Sequence, residues 1–344
     1  MRLCTLVSSY ELGDSPFQGL DPYPDPSLWA PDHDWETCLV DKATAVDTVR
    51  DLSRRGFDAF VNLCDGSFEE PLAGVEVVLE LERQSQAYTG ASSRFFEPTR
   101  KVMKRLCRCL GVDTPRYRFA RGRADAELAT AHLRFPILVK PPNGFGSIGL
   151  TAASRVTHAD ALLAVVDRLA QEHGGALLEE FIEGREFTVL VAEPGEGERS
   201  PRGYPPVEVI FPRGESFKHF DLKWLDYAEL GARRVEDAGL VERLQRVAAR
   251  IFEGFRGTGY ARCDVRMGGE GVLHLIDVNP NPGVFYPPGA AGAADLILGH
   301  AVGGHRAFIE HILAAAIRRR DQGRSSARGE GARKNLGGIR GRRY

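Results

Sequence analysis

Arg262, Asp264 and Arg266 alternate with Cys263 and Val265, and further along Asp277 and Asn279 alternate with Ile276 and Val278. Successive side chains on a strand point to opposite faces, so each polar set shares one face. The two runs, Tyr260–Arg266 and Val272–Asn279, are joined by a Met-Gly-Gly-Glu-Gly stretch and read as an antiparallel hairpin. One face then presents a guanidinium, two carboxylates and an amide. Oxygen donors at that spacing suit magnesium, above all where phosphate fills the remaining positions. A solvated hairpin face with an Arg–Asp pair has the same composition. The Asn279-Pro280-Asn281-Pro282-Gly283 turn follows at once and forms a stiff rim.

Two further segments can carry chemistry. Lys140 ends the short apolar run from Pro136 and is followed by Gly144, Gly146, Ser147 and Gly149. Backbone N–H groups in such a loop can cover phosphates, with Lys140 as a fixed positive charge. No GK[ST] closes the run, so this is not a Walker loop. A mobile loop without a ligand has the same text. Glu179-Glu180-Phe181-Ile182 leaves an apolar strand through two acids and leads to Glu186. It reads either as an edge strand or as a hinge offering backbone hydrogen bonds and apolar contact to a base.

The elements that must position these groups follow from hydrophobic spacing. Leu3–Val7 and Phe57–Cys64 read as strands, Ala45–Arg54 as a helix, and Val75–Leu81 as helix or strand. Together they suggest a small α/β domain. Glu97–Leu110 reads as a basic helix with Val102, Met103, Leu106 and Leu110 inward. A helix over 158–171 starts after Thr157, with Asp160 completing a capping box. Leu240–Phe255 is the clearest amphipathic helix. Residues 213–239 are mostly polar and look like an excursion.

The 344 residues carry 47 acidic and 45 Lys or Arg side chains, a net of -2, with 43% hydrophobic residues. That composition belongs to a soluble globular protein of two or three lobes. No apolar run approaches the roughly 20 residues that span a bilayer, and Met1–Val7 reads as a buried strand rather than a leader. Six cysteines in a chain this long read as reduced packing residues, and a cytoplasmic location is expected. Residues 318–344 hold ten Arg or Lys against two acids, leaving the preceding 317 residues at -10. This tail is expected to be disordered and dispensable. A basic arm can also grip nucleic acid, but no aromatic interleaving accompanies it.

The order of these segments resembles the ATP-grasp carboxylate–amine ligases, and within them the D-alanine–D-alanine ligase-like branch. The resemblance is carried by VNLCDG, YTG, the helix and turn over 104–115, FPILVKPPNGFGSIGL, LLEEFIEGREFTV and YARCDVRMGGEGVLHLIDVNPNPG. It runs from about residue 58 to 300 and is weakest across 193–239. It implies a mixed α/β and α+β, three-lobed ATP-grasp fold. An N-terminal α/β domain would cover 1–95, a central lobe 96–182, a C-terminal lobe with the hairpin 183–317, and the basic tail 318–344, with ATP between two antiparallel sheets.

On this chain the resemblance places Lys104 and Lys140 on ATP phosphates, with Gly146, Ser147 and Gly149 in the loop above them. Glu179, Glu180, Phe181 and Ile182 would line the adenine and hinge, and Glu186 would bind ribose. Lys223 would be the phosphate lysine of a mobile loop, with Lys218 a rival. Asp264, Asp277 and Asn279 would hold magnesium, or manganese in its place, and Arg262 would steady the reacting phosphoryl group. The reaction implied converts a carboxylate to an acyl phosphate, which an amine attacks, releasing ADP and phosphate. The partners are then a small carboxylate and a small amine; such ligases commonly form homodimers, and no nucleic acid or membrane is expected.

The chain also departs from the D-alanine ligases. No glutamate–serine signature aligns within LVSSYELGDSPFQG, Phe145 replaces a glycine, Trp224 replaces a tyrosine, and Asp277 replaces a glutamate. Val284-Phe285-Tyr286 stands where those enzymes place a serine. With Gly283, Phe285, Tyr286 and Trp224 as substrate contacts, the expectation is a larger, more apolar amine pocket. That points to another amino acid or a specialised metabolite. The alternatives are a D-alanine–D-alanine ligase, an ATP-grasp enzyme with a non-amide product, and a non-catalytic ATP-binding protein.

Overall fold

The computed structural model describes residues 1–10, 18, 19, 22–144, 146–226 and 229–337, with residues 326–337 as backbone only. Phe145, residues 11–17 of the N-terminal segment and the last seven residues of the tail lie outside the described residues.

The chain opens with β1 (Arg2–Ser8), the central strand of a parallel three-stranded sheet. Its neighbours are β2 (Asp34–Val40) on one side and, after α1 (Ala45–Leu52), β3 (Ala59–Asn62) on the other. Helix α2 (Val75–Arg83) settles the helix-or-strand alternative: Val77, Val78 and Leu81 are fully buried, whereas Leu79 between them is half exposed. That is a 3.6-residue period, not a period of two. Helix α3 (Arg100–Leu110) is capped by Thr99 and stopped by left-handed Gly111. Its inward face is corrected: Met103, Lys104 and Cys107 are buried, and Val102 points out. The helix buries a lysine because an acid awaits it, as described below.

The second sheet contains β4 (Tyr117–Ala120), then, after α4 (Arg123–Thr130), β5 (Ile137–Lys140) and β6 (Arg155–Val156). Helix α5 (Ala159–His173) leads into β7 (Ala176–Glu180). The order is β4-β7-β5-β6, antiparallel throughout. β7 is interior, which removes the edge-strand reading of Glu179-Glu180. Helix α5 is capped by His158, whose Nδ1 accepts from the Ala161 amide, rather than by Thr157.

The third sheet is built on β8 (Arg185–Ala192), which pairs with short β9 (Arg202–Gly203) and with β10 (Val207–Ile210). The supposed excursion contains α6 (Phe220–Trp224) and β11 (Gly231–Arg234). Helix α7 (Ala238–Gly254) buries Leu240, Leu244, Ala248, Ile251 and Phe252 against the sheet. Strands β12 (Tyr260–Met267) and β13 (Leu273–Asn279) complete it in the order β11-β10-β8-β12-β13. Two helices follow, α8 (Ala293–Gly299) and α9 (Gly304–Gly337).

The disorder expected of the basic tail is corrected here, because α9 runs on to Gly337. Arg318 donates to the Pro194 carbonyl at 2.8 Å, and Arg319 to that of Tyr88 at 2.6 Å while pairing with Glu193 at 2.7 Å. Arg320 and Arg324 donate to the carbonyls of Asp58 and Ser85, each at 3.1 Å. The low apolar content misleads because these anchors are guanidiniums on carbonyls, not side chains in a core. Among the described residues no helix is long and apolar enough to cross a membrane, and all six cysteines are free thiols.

Candidate active site

The hairpin register puts Arg262 opposite Asn279 and Asp264 opposite Asp277. A bulge after Asp264 absorbs the extra Ile276, so the polar groups stay on one face. Arg262 forms a fork on Asp264, with Nε and Nη2 each 3.1 Å from a carboxylate oxygen. Thr188, facing Asp264 from β8, donates to it at 2.7 Å. Burial alone would raise the Asp264 carboxyl, but Arg262 and Lys218 outweigh it and hold it far below the usual carboxylate range. Asn279 is fixed by its own turn, its Oδ1 accepting from the Asn281 amide at 2.9 Å. Among the described residues no donor bonds the Asp277 carboxylate. An open carboxylate beside a second one and a fixed amide oxygen is a donor set that fits magnesium.

A second charged cluster joins α3 to the middle sheet. Lys104, fully buried, and Lys140 both pair with Glu179, one on each carboxylate oxygen. Burial opposes ionisation of Glu179, yet the two lysines bring it down to about 2. Lys140 is lowered by burial and by the nearby Arg100 and Lys104, with Glu179 opposing. Lys104 also bonds Thr114, whose hydroxyl donates to the Leu275 carbonyl of β13 at 2.8 Å. Glu179 is thus the anion that gathers Lys104 and Lys140, and its carboxylate is taken up by them. Glu180 turns the other way, to the Arg134 amide and guanidinium at 3.0 and 3.3 Å. Phe181 is buried, with the Arg155 and Arg266 guanidiniums 4.7 and 4.4 Å from its ring centre; Ile182 next to it is half-buried.

The glycine loop is tied to the segment around α6. Gly146, Ser147 and Gly149 all have positive φ, and a Cβ on Gly149 would stand 2.7 Å from Pro141. Ser147 donates to the Lys218 carbonyl at 2.9 Å, and the Trp224 indole donates to that of Gly146 at 2.7 Å. Lys218 reaches Glu186 at 3.0 Å, and Arg266 meets the other oxygen of Glu186 at 3.4 Å. Lys223 has no ion pair among the described residues; its ammonium lies 5.0 Å from the Trp224 ring. Burial, then Arg262 and Lys218, lower it to about 8. Lys104, Lys140, Lys218, Lys223, Arg262 and Arg266 stand against Glu179, Glu186, Asp264 and Asp277, so the face carries excess positive charge. That suits a polyphosphate.

A cavity of about 30 Å³, room for about two waters, adjoins this face. Val7, Ser8, Asn62, Gly90 and Tyr260 line it from the N-terminal side and β12, and Asn281, Gly283 and Tyr286 from the rim. The expectation for Phe285 is corrected: it is fully buried against Phe308, and it is not part of the cavity wall. Trp224 is likewise not on that wall; it latches the glycine loop. Sequence reasoning missed Thr188, Thr114 and a role for Arg266. The period-two spacing of Thr188 from Glu186 on β8 is a signal that points to Thr188. Thr114 lies in a loop and leaves no such signal.

A family model described as the C-terminus of D-ala D-ala ligase matches residues 110–286, just over half of the chain. A D-alanine–D-alanine ligase of Cupriavidus taiwanensis is 27% identical over 275 residues, covering 78% of each chain. One of Ectopseudomonas mendocina is 34% identical over 199 residues, 56% of this chain and 59% of that one. Among solved structures, a D-alanine–D-alanine ligase from Bacillus anthracis complexed with ATP superposes with a TM-score of 0.68 at 18% identity, covering 93% of this chain and 98% of that one. The VanG D-Ala:D-Ser ligase from Enterococcus faecalis gives 0.65 at 15%, covering 91% and 99%. The shared architecture is the ATP-grasp fold.

Proposed function

The chain belongs to the D-Ala–D-Ala ligase family, which makes it an ATP-dependent carboxylate–amine ligase, and from that premise we propose that it joins two small amino acids, D-alanine being the first to assay. The register pairing of Asp264 with Asp277, on a face whose cations outnumber its acids and where Lys223 has no ion pair among the described residues, is the observation that carries the nucleotide half of this reading. The withdrawal of Phe285 into the core, off the cavity wall, removes the residue that most favours a bulky substrate and so supports a small one.

The reaction has two steps. A carboxylate oxygen attacks the γ-phosphorus of ATP as the bond to the ADP oxygen breaks, giving an acyl phosphate. An amine then attacks the acyl carbon, phosphate leaves, and the ammonium proton is lost. Asp264, Asp277 and Asn279 would hold magnesium, which when bound neutralises charge on the transferring phosphoryl oxygens. Lys140, Lys223 and Arg262 contribute fixed positive charge to the same oxygens. Gly146, Ser147 and Gly149, latched through Trp224, cover the phosphates and keep water from the acyl phosphate. Glu186, with Lys218 on it, is left as the ribose-side acid, and the backbone of 179–182 as the adenine-side hinge.

The test is ADP release across D- and L-alanine, serine, leucine and phenylalanine, with mass spectrometry of the product. A dipeptide from D-alanine, formed with ADP, is the expected result. AMP as the nucleotide product would sink the acyl-phosphate route. A second reading, a ligase for another amino acid or a specialised metabolite, is favoured by Tyr286, whose phenol lines the cavity after the Asn-Pro-Asn-Pro-Gly rim. Preference for a larger amine over alanine would select it.

A further inference from the structure

We infer that Asp295, braced by His305, is a positioning residue for the amino-acid side of the site: it fixes the Phe285 backbone and thereby seats Tyr286 on the cavity wall. The kinetic part of this inference rests on the function proposed above.

Asp295 lies in the first turn of α8 and is almost fully buried. Its Oδ1 accepts from the Phe285 amide at 2.8 Å and from His305 Nε2 at 2.9 Å, and its Oδ2 accepts from the Gly292 amide at 3.0 Å. The His305 ring is held on its face by Trp29, with centroids 4.0 Å apart and planes 13° from parallel. Among the described residues none of these groups is hydrogen-bonded or ion-paired to the lysine and arginine cluster.

Phe285 has φ +69, a left-handed conformation that bulky L-residues rarely adopt. Both of its backbone polar groups are claimed from a distance. Asp295 takes the amide, and the Asp25 amide donates to its carbonyl at 2.8 Å. The ring is locked in the core beside Phe308 and His305. Held this way, the chain reverses and lays Tyr286 over Gly283, where an added Cβ would stand 2.4 Å from the Tyr286 phenol oxygen. Gly292 packs against the same ring, a Cβ there meeting it at 3.1 Å. One carboxylate therefore sets both ends of the loop that carries Tyr286 into the cavity. Without it the left-handed turn loses the acceptor of its amide and the loop loses its tie at Gly292, and the wall loosens.

The experiment compares the full chain as wild type, Asp295→Asn and Asp295→Ala. It reads amide hydrogen exchange over residues 283–292, together with separate KM values for ATP and for the amino acid that supports ADP release. Asp295→Ala is expected to speed exchange at Phe285 and Gly292 by about tenfold or more. It should raise the amino-acid KM about tenfold, leaving the ATP KM within about twofold. Asp295→Asn keeps one acceptor oxygen and recovers most of both effects. Unchanged exchange at Phe285, or equal rises in both KM values, overturns the inference. Where Asp295→Ala does not fold, His305→Leu removes the brace and should shift both readouts in the same direction by less; no shift in either overturns it. Should wild type release no ADP with any amino acid, the functional reading fails, and the exchange data alone decide whether Asp295 holds the rim.

Discussion

Arg262, Asp264, Asp277 and Asn279 sit on two neighbouring strands in direct register, whereas the cavity beside them is walled by residues from opposite ends of the chain. The hairpin face is local: ladder hydrogen bonds and period-two alternation put its groups together. The cavity depends on tertiary ties, with Phe285 clasped by Asp25 and Asp295 and the Tyr88–Gly90 segment held by Arg319. A site built on adjacent strands is rigid wherever the sheet forms. A site assembled from distant loops is only as precise as the clasps that hold it. Changes to the first should therefore remove chemistry, and changes to the second should first alter substrate binding.

The largest effect is expected at the hairpin. Asp277→Ala should lower kcat by about a thousandfold or more, because an open carboxylate of the metal donor set is lost. The melting temperature should hardly move, since the carboxylate has no donor among the described residues to leave stranded. ADP release and a thermal melt check both. Retained magnesium-dependent turnover would break the assignment of this face. Lys223→Ala comes next, with kcat down by about a hundredfold and adenosine binding, read by calorimetry, little changed. Lys218→Ala separates the rivals. It takes one of the two cations off buried Glu186 and leaves only the longer pair with Arg266, so it should cost stability as well as rate.

The legibility of the two regions in the sequence follows the same division. Alternation through Arg262–Arg266 and Asp277–Asn279 is a period that the sheet copies directly, and the bulge merely keeps it in phase. The sequence shows the acids but not their partners: Glu179 is legible as a hinge acid and not as the anion binding Lys104 and Lys140. Which helix face is inward depends on such a partner, which is why Val102 and Lys104 exchange places relative to apolar spacing. Phe285 reads as an apolar pocket contact because residue type says nothing about a left-handed turn that sends a ring into the core. The arginines of α9 read as a tail because their partners are backbone carbonyls of Asp58, Ser85, Tyr88 and Pro194, which no side-chain pattern reveals.

Truncation after Ile317 tests the tertiary side of the comparison at moderate size. It removes Arg318, Arg319, Arg320 and Arg324 and leaves Glu193 without its guanidinium. A fall in melting temperature of about 1.5–3 °C is expected, the scale of a loss of one or two kcal/mol in a chain of this size. The single change Arg319→Ala should give a large part of it, since that residue alone spans Glu193 and the Tyr88 carbonyl. An unchanged melt in both variants would return the tail to the dispensable role its composition suggests.

The smallest effect near neutrality is a pH dependence with two opposite signs. Lys223 is lowered from the ordinary lysine value of 10.5 to about 8 by burial and by Arg262 and Lys218. In the folded protein it therefore sheds its proton as pH passes 8, while in the unfolded chain it holds that proton to about 10.5. The unfolded state binds more protons in this window, so this residue's contribution to stability rises with pH between them. The phosphate role proposed for Lys223 needs the charged ammonium, so on that proposal ATP affinity falls over the same range. The fall approaches about tenfold per pH unit above 8, until the pKa of the bound state is reached. General alkaline damage would lower stability and binding together, and the opposed signs separate the two causes. Lys223→Arg keeps a charge that does not titrate here and should flatten the ATP profile between pH 7 and pH 9. A profile as steep in that variant as in wild type would move the titrating group elsewhere in the cluster, and Lys140, also lowered by its neighbours, would be the next residue to exchange for arginine.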